Sequence, residues 1–541
     1  MTEENYWYSQ LEPKLTPEAA AEAKIIVDAF RARDIRVDIG GSRDEADEDD
    51  DLHAGGIAFM YDRDHILTRE QYLGGVGGVP GPKRPADASK LRGVLDVLQV
   101  DDRAPEVEVI RVVGDVVLLC LNPRRHKHTP GHHYDDEGGG EHADVLDLLR
   151  LIDDELGEGI ATPDHVLTAA NGALTPCSAT EPQEVYPTAG PYPPVCRDGG
   201  ARVRIFQADT GLEKAQTFPW LAGVDGDLDP RAGTGPNSTI SPYGGHGTFV
   251  AGVLRCMAPQ AQVHVENIFN TGGSALESEV AKKLHAAFGF GFEILHITAS
   301  CHTWKNIPPL ALEAFLKLLR PYKGVVCVAE AGNNHTQRPA WPGAFPDVLS
   351  VGALATDWRH RADFSNYGGW VDVYAPGEKL INAFGSGTYT CQVPPNVGQV
   401  RTFTGLAQWS GTSFSAPIVT GLIAARMARR GESAREAAEA LLAEARAQTI
   451  PGVGPVLFPS CDDERRGGHH GGGGDRECDR GCGCGYDRGC GCGCDRGCGC
   501  GRGWGGDRGC RCGGGCVRGP WRPLRDVIEA VTRTGWGYRD R

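Results

Sequence analysis

The chain has 541 residues, too many for one compact core, and its 55 Lys and Arg against 71 Asp and Glu give a net charge of -16, which excludes a general phosphate-binding surface and makes nucleic acid a poor partner. Met1 to Leu15 carry no basic or apolar leader, and no stretch is apolar for long enough to span a bilayer, so the expected compartment is the cytoplasm, with noncanonical export left open and no membrane partner. Oligomeric state has no signature in the sequence.

Residues 16–33 offer Thr16 as an N-cap, Pro17 at the first helical position, and Ile25, Ile26, Ala29 and Phe30 at helical spacing, which predicts a helix. The run Asp44 to Asp51 is too charged to pack and reads as a solvated loop. Two apolar runs between Val107 and Leu121, hinged at Gly114 and Asp115, predict a hairpin. After a His-, Gly- and Asp-rich loop over 124–141, Val145, Leu148, Leu149, Ile152 and Leu156 fall on one helical face, and Ile160 to Leu167 reads as a strand. Strands around a helix predict a small α+β unit over 104–175, behind an N-terminal extension over 1–103 that holds the acidic loop.

Repeated prolines without an apolar period mark 176–200 as an exposed linker and a domain boundary. From 201 to 459, strand-like runs at 203–208, 263–268, 294–298, 325–329 and 348–351 alternate with helical stretches at 278–288 and 309–319. That alternation predicts an α/β domain, a parallel sheet with helices on both faces. Residues 460–519 are built of Gly, Cys, Arg and Asp in quasi-repeats such as CDRGCGCG and read as a disordered tail. Their Cys spacings are too repetitive to define one tetrahedral metal site. A short helix is expected within 520–541. Of the 19 cysteines, Cys120, Cys177, Cys196, Cys256, Cys301, Cys327 and Cys391 lie ahead of the tail, scattered and odd in number, which reads as buried free thiols rather than a disulfide framework.

Amide hydrolysis by a side-chain hydroxyl needs a nucleophile, a base, a group to orient the base, and donors for the developing oxyanion. GTSFSAP, from Gly411 to Pro417, would present Ser413 on a small-residue turn opening a helix. A serine there is by itself more often a helix cap, but its companions change the reading. His246 lies in GGHGTFVAGVL at a helix start, and Asp209 ends the strand-like run VRIFQAD, the active-site end of an open parallel sheet.

These three motifs resemble the subtilisin-like serine peptidases (subtilases, S8 family) in their order Asp, His, Ser; subtilisin is a standard illustration of that order. The resemblance covers about Val203 to Arg430. It implies a subtilisin-like fold and serine endopeptidase activity through an acyl-enzyme on polypeptide substrates, with Asp209, His246 and Ser413 as the triad. VVCVAEAGNNH resembles the family's oxyanion segment, which implies Asn333 as the side-chain donor. It further implies peptide-binding edges at Gly273, Ser274, Ala275 and Leu276 and at Ala299 and Ser300, with Glu330, Ala331 and Gly332 as the other wall of the primary specificity pocket. ITASCHTW replaces the common Ser-Leu-Gly wall, so side-chain preference does not carry over. No cofactor is required for the chemistry. A structural calcium is allowed, for which DGDLD at 225–229 has oxygen-rich spacing without the downstream Glu of an EF-hand. The α+β unit over 104–175 is propeptide-like by the same resemblance.

Two other readings compete. A silent relative that only binds peptides would have lost a catalytic residue, and none is missing. The acid-active sedolisins share the serine motif but use Glu as base and Asp at the oxyanion position, against His246 and Asn333 here.

Overall fold

The computed structural model of the chain describes residues 17–40, 59–74, 93–98, 107–121, 144–169, 179–186, 189–213 and 218–461. The expectations for Met1 to Leu15, the acidic run 44–51, the loop 124–141, Cys177, and the tail and terminal helix beyond 461 lie outside these residues.

The chain opens with α1 (Pro17–Arg31), β1 (Val37–Gly40), β2 (Phe59–Arg69), α2 (Val94–Leu98), β3 (Glu108–Val113), β4 (Val116–Cys120), α3 (Val145–Leu156) and β5 (Ala161–Thr168). The hairpin turns at Gly114, whose φ of 57° is left-handed, and Asp144 caps α3 by accepting from the Leu146 N–H at 2.8 Å. The strands form one sheet in the order β5-β2-β4-β3, with β1 on β2. This corrects the boundary expected at 103/104: β2, in the span read as an extension, lies between β4 and β5. Alternation decides the two faces. Ile66, Val117 and Leu119 pack with Val145, Leu148, Leu149 and Ile152 of α3. Leu67, Val116, Leu118 and Leu167 pack on helices of the following domain.

That domain contains β6 (Arg204–Asp209), β7 (Val224–Gly226), β8 (Thr234–Ile240), α4 (His246–Met257), β9 (Gln262–Asn267), β10 (Ser274–Leu276), α5 (Glu277–Ala286), β11 (Ile294–Ile297), α6 (Leu310–Leu319), β12 (Val326–Glu330), β13 (Val348–Leu354), β14 (Val373–Pro376), β15 (Leu380–Thr390), β16 (Val400–Trp409), α7 (Thr412–Arg430) and α8 (Ala434–Ala447). Seven strands pair in parallel in the order β14-β13-β12-β11-β6-β9-β7. One face (Ile205, Val263, Ile294, Val328, Val351) packs on α4 and α7. The other (Phe206, Leu295, Cys327, Ala329) packs on α5 and α6. The expected parallel sheet with helices on both faces is therefore present. β16, β15 and β8 form a separate three-stranded sheet. β10 joins neither and pairs antiparallel with β5.

The linker expected to be exposed is instead strapped to the domain. Gln183 exchanges backbone bonds with Gln408 (2.8 and 2.9 Å) and Tyr192 with Ile381 (2.8 and 3.0 Å). Prolines remove donors at their own positions only, so Gln183 and Tyr192 still supply the N–H groups that fasten the segment. Cys196 forms a disulfide with Cys461, which corrects the reading of Cys196 as a free thiol. Cys120, Cys256, Cys301, Cys327 and Cys391 are buried and free. Among the described residues no helix is long and apolar enough to cross a membrane.

Candidate active site

Asp209, His246, Asn333 and Ser413 come from four elements that meet at the carboxyl end of the parallel sheet. Asp209 is the last residue of β6 and is fully buried. Its Oδ1 lies 2.8 Å from Nδ1 of His246 and accepts from the Thr210 N–H at 2.6 Å. Its Oδ2 accepts from the Thr298 hydroxyl at 2.6 Å and from Nε2 of Gln207 at 3.1 Å. Burial pushes the carboxyl up, but the His246 imidazole and the bonds from Thr298 and Thr210 outweigh it and hold it below the usual carboxylate range.

His246 is the first residue of α4, after Gly245 at φ 80°. The helix comes in close because Gly247 has no side chain: a Cβ there would lie 2.3 Å from the Gly211 carbonyl. Burial pulls the His246 imidazolium down, and the Asp209 carboxylate more than compensates, raising its pKa with further help from Glu330 and Asp229. The Trp409 and Phe414 rings, 5.6 and 5.4 Å away, pack around the imidazole.

Ser413 is the second residue of α7, in the first turn, whose N–H groups lack intrahelical acceptors. Its neighbour Thr412 spends its own N–H on Oδ1 of Asn333 at 2.8 Å, and the Thr412 hydroxyl donates to the same oxygen at 3.0 Å. These two bonds orient the Asn333 amide, since only its oxygen can accept both. Nδ2 is left without a partner and faces away from Thr412. Gly332, at φ 89°, makes the turn that delivers Asn333. The next residue, Asn334, is turned elsewhere: its N–H donates to Oδ1 of Asn366 at 2.9 Å, and Nδ2 of Asn366 donates back at 3.4 Å.

The Ser413 hydroxyl does not donate to His246. It donates to Oε2 of Glu330, the last residue of β12, while Nε2 of His246 has no hydrogen-bond partner. Oε1 of Glu330 accepts from the Ser300 hydroxyl at 2.9 Å. Burial raises the Glu330 carboxyl to about 7 against the lowering effect of those two hydroxyl bonds. Ala331 and Gly332 continue this wall, and Ala299 lies beside Ser300, both buried.

The two expected peptide-binding edges flank one segment of the chain itself. Ser274, Ala275 and Leu276 pair with Thr168, Leu167 and Val166. Gly273 accepts from the Ala169 N–H at 2.9 Å, and Ser300 exchanges both backbone bonds with Thr168. The contributions of Thr298, Thr412 and Gly247 were not assigned from the sequence; each adjoins a recognised motif residue, which is the one sign that pointed to them.

The calcium that the resemblance allows finds no ligand set at 225–229. Asp229 is buried on Arg231 (2.8 Å), Thr210 (3.1 Å) and the Gly245 N–H (2.9 Å), while Asp225 and Asp227 are exposed. Among the described residues no three His, Cys, Asp or Glu side chains cluster closely enough to hold an ion.

Comparison with known proteins places the sequence in a family. The sequence profile of the subtilase family (Peptidase S8) matches residues 209–485, just over half of the chain. A thermophilic serine proteinase of Bacillus sp. (strain AK1) is 29% identical over 274 residues, which is 47% of this chain and 59% of that protein. An intracellular serine protease of Paenibacillus polymyxa is 29% identical over 237 residues, 42% of this chain and 66% of that protein. The chain thus spans less than two thirds of either relative. Among solved structures, fervidolysin from Fervidobacterium pennivorans aligns with a TM-score of 0.46 at 16% identity, over 77% of this chain and 61% of that one. With the profile covering the segment that carries Asp209, His246, Asn333 and Ser413, the chain belongs to the subtilase family.

Proposed function

We propose that the chain is a serine endopeptidase in which Asp209, His246 and Ser413 act as the triad and Asn333 as an oxyanion donor. The observation that carries the reading is the buried Asp209–His246 pair, 2.8 Å apart, packed against the helix turn that holds Ser413. Nε2 of His246 takes the proton from the Ser413 hydroxyl as Oγ bonds to the substrate carbonyl carbon. Asp209 fixes the tautomer with Nε2 unprotonated and stabilises the imidazolium that forms. Nδ2 of Asn333 and the N–H of Ser413 stabilise the tetrahedral oxyanion. The imidazolium then returns its proton to the leaving amine, and water, activated by the same imidazole, releases the acyl group from Ser413.

No cofactor enters these steps. The N-terminal sheet acts as an inhibitor and folding aid, a reading supported by the end of β5 lying between the two peptide-binding edges. The test is labelling by a fluorophosphonate probe: wild type is labelled at Ser413 and cleaves unfolded protein, and Ser413→Ala does neither. Absence of labelling together with absence of cleavage would count against the peptidase reading.

A further inference from the structure

Glu330 is a fully buried carboxylate whose partners among the described residues are hydroxyls: it accepts from Ser300 at 2.9 Å and from Ser413, and the Thr412 hydroxyl, which gives its proton to Asn333, lies 3.5 Å away. Among the described residues no Lys or Arg forms an ion pair with it. A buried carboxylate without a cation is costly, and its burial is normally compensated by a positive partner. Two contacts place it beside the reacting bond. Its Oε2 is bonded to the nucleophile. Its Oε1 is bonded to Ser300, the residue whose backbone pairs with an extended strand at Thr168. A peptide paired on Ser300 and attacked by Ser413 must therefore carry its acyl-side residue past this carboxylate.

We propose that Glu330 reads a cationic side chain, Lys or Arg, on the residue that supplies the scissile carbonyl. The inference rests on the peptidase reading above and names the substrate class for that site. An arriving guanidinium or ammonium takes Oε2 from Ser413, because a cationic donor neutralises the buried carboxylate and a hydroxyl does not. The freed hydroxyl then turns to Nε2 of His246, the acceptor left without a partner in the resting state. Binding of the correct side chain and release of the nucleophile are one event. Substrates with neutral side chains leave Ser413 tied to Glu330, so their deficit falls on kcat as well as KM. The pocket wall that departs from the family pattern, ITASCHTW from Ile297, belongs to the same feature, because Ser300 within it orients Glu330.

The test uses the full chain, incubated until its mass is constant, on tetrapeptide coumarin amides Ala-Ala-Ala-Xaa with Xaa as Arg, Lys, Gln, Leu, Phe or Ala, with Ser413→Ala as background. The expected kcat/KM for Arg and Lys exceeds that for Gln, Leu and Phe by about 100-fold. Glu330→Gln removes that preference: its kcat/KM for Arg and Lys falls to within a few-fold of its own value for Gln and Leu. A wild type that prefers Leu, Phe or Ala, or a Glu330→Gln that keeps the Arg preference, overturns the inference and leaves the peptidase reading standing. Hydrolysis of none of the six overturns the peptidase reading and the inference with it. Should Glu330→Gln not fold, competition on the wild type decides: benzamidine inhibits and benzyl alcohol at the same concentration does not, and equal effects overturn the proposal.

Discussion

Thr168 and Ser300 exchange both backbone hydrogen bonds, at 3.0 and 3.1 Å, so the last residue of β5 is paired as the main chain of a bound peptide would be. On the other side of the same strand, Thr168 faces Ser274 of β10. On the inhibitor reading proposed above, this segment fills the peptide-binding cleft and its removal is expected to precede activity. Mass spectrometry is expected to find a new N-terminus within 170–179 in the wild type and an intact chain in Ser413→Ala. Isolated 17–169 added back is expected to slow hydrolysis; identical N-termini and no slowing would remove the inhibitor reading.

Replacement of the proposed triad residues tests the chemistry. Ser413→Ala and His246→Ala are each expected to lower kcat by about 10⁶-fold, the scale known from subtilisin, with circular dichroism unchanged. Asp209→Asn falls by about 10⁴-fold through the wrong imidazole tautomer. Thr298→Val loses one bond to the Asp209 carboxylate and is expected to lower kcat by about 10- to 100-fold. Full activity in Ser413→Ala would sink the assignment.

Asn333→Ala is expected to lower kcat by about 10²- to 10³-fold with KM little changed, a magnitude known from subtilisin's own oxyanion donor. Because the alanine also removes the acceptor of the two Thr412 bonds, Asn333→Asp is the cleaner companion: it keeps that acceptor, deletes the donor, and falls at least as far. Asn334→Ala stays active, since its side chain serves Asn366. A crippled Asn334→Ala beside an active Asn333→Ala would shift the register of the loop by one.

Docking of the N-terminal sheet is expected to depend on pH through a buried polar contact. Asp164 of β5 accepts from the Ser278 N–H (3.0 Å) and hydroxyl (2.6 Å) at the start of α5. Burial and the neighbouring Glu277 raise it to about 8, with Asp62 adding to the effect, and burial raises Glu277 itself to about 8. His165, 3.2 Å from Glu277, is pulled down to about 3 by burial. Once released, each group returns to its ordinary range, about 4 for the carboxyls and about 6.5 for the imidazole. The docked state thus holds extra carboxyl protons between pH 4 and 8, so docking weakens as pH rises through that window. His165 has the opposite sign and weakens docking as pH falls below 6.5. The inhibition constant of isolated 17–169 should therefore rise between pH 6.5 and 8, by up to about 10-fold per pH unit for each carboxyl. Asp164→Asn flattens the dependence; an unchanged slope in that variant would refute the assignment.

Two truncations separate the tail from the disulfide. A chain ending at Cys461 keeps its bond to Cys196 across a sequence separation of 265 and is expected to match the full chain in activity and melting temperature. A chain ending at Pro459 loses that constraint on the unfolded state, worth about 2–4 kcal/mol. Equal unfolding midpoints in urea for the two would show that the bridge contributes nothing.

What the sequence revealed and what it hid divide along one physical line. Strands such as Ile294–Ile297 and Val326–Glu330 were legible because both faces of a parallel strand are apolar, and Asp209, His246, Asn333 and Ser413, which the fold brings together, were picked out by motif order. β2 was hidden by its polar residues. FMYDRDHILTR fell within the span read only as an N-terminal extension, yet Asp64 pairs with Arg36 at 2.6 Å, His65 with Asp62 at 2.9 Å and Arg69 with Asp115 at 2.6 Å. These pairings let a charged run sit at the centre of a sheet, and two of them join residues far apart in the chain. Glu330 was expected as pocket wall, and its contact with Ser413 was not legible, because that contact exists only once β12 and α7 are packed. The linker was misread because proline content describes missing donors, not the remaining residues that fasten Gln183 and Tyr192.

The pairing of Thr168 with Ser300 also sets a filter that involves no side-chain pocket. Any peptide that takes the place of β5 must offer an N–H to the Ser300 carbonyl at that position. Nineteen of the twenty amino acids have one, and proline does not. A peptide with proline there leaves a buried carbonyl without a donor. On the peptidase reading, the cleft at this point reads the backbone's chemistry before any side chain, and a peptide with proline opposite Ser300 is expected to escape cleavage.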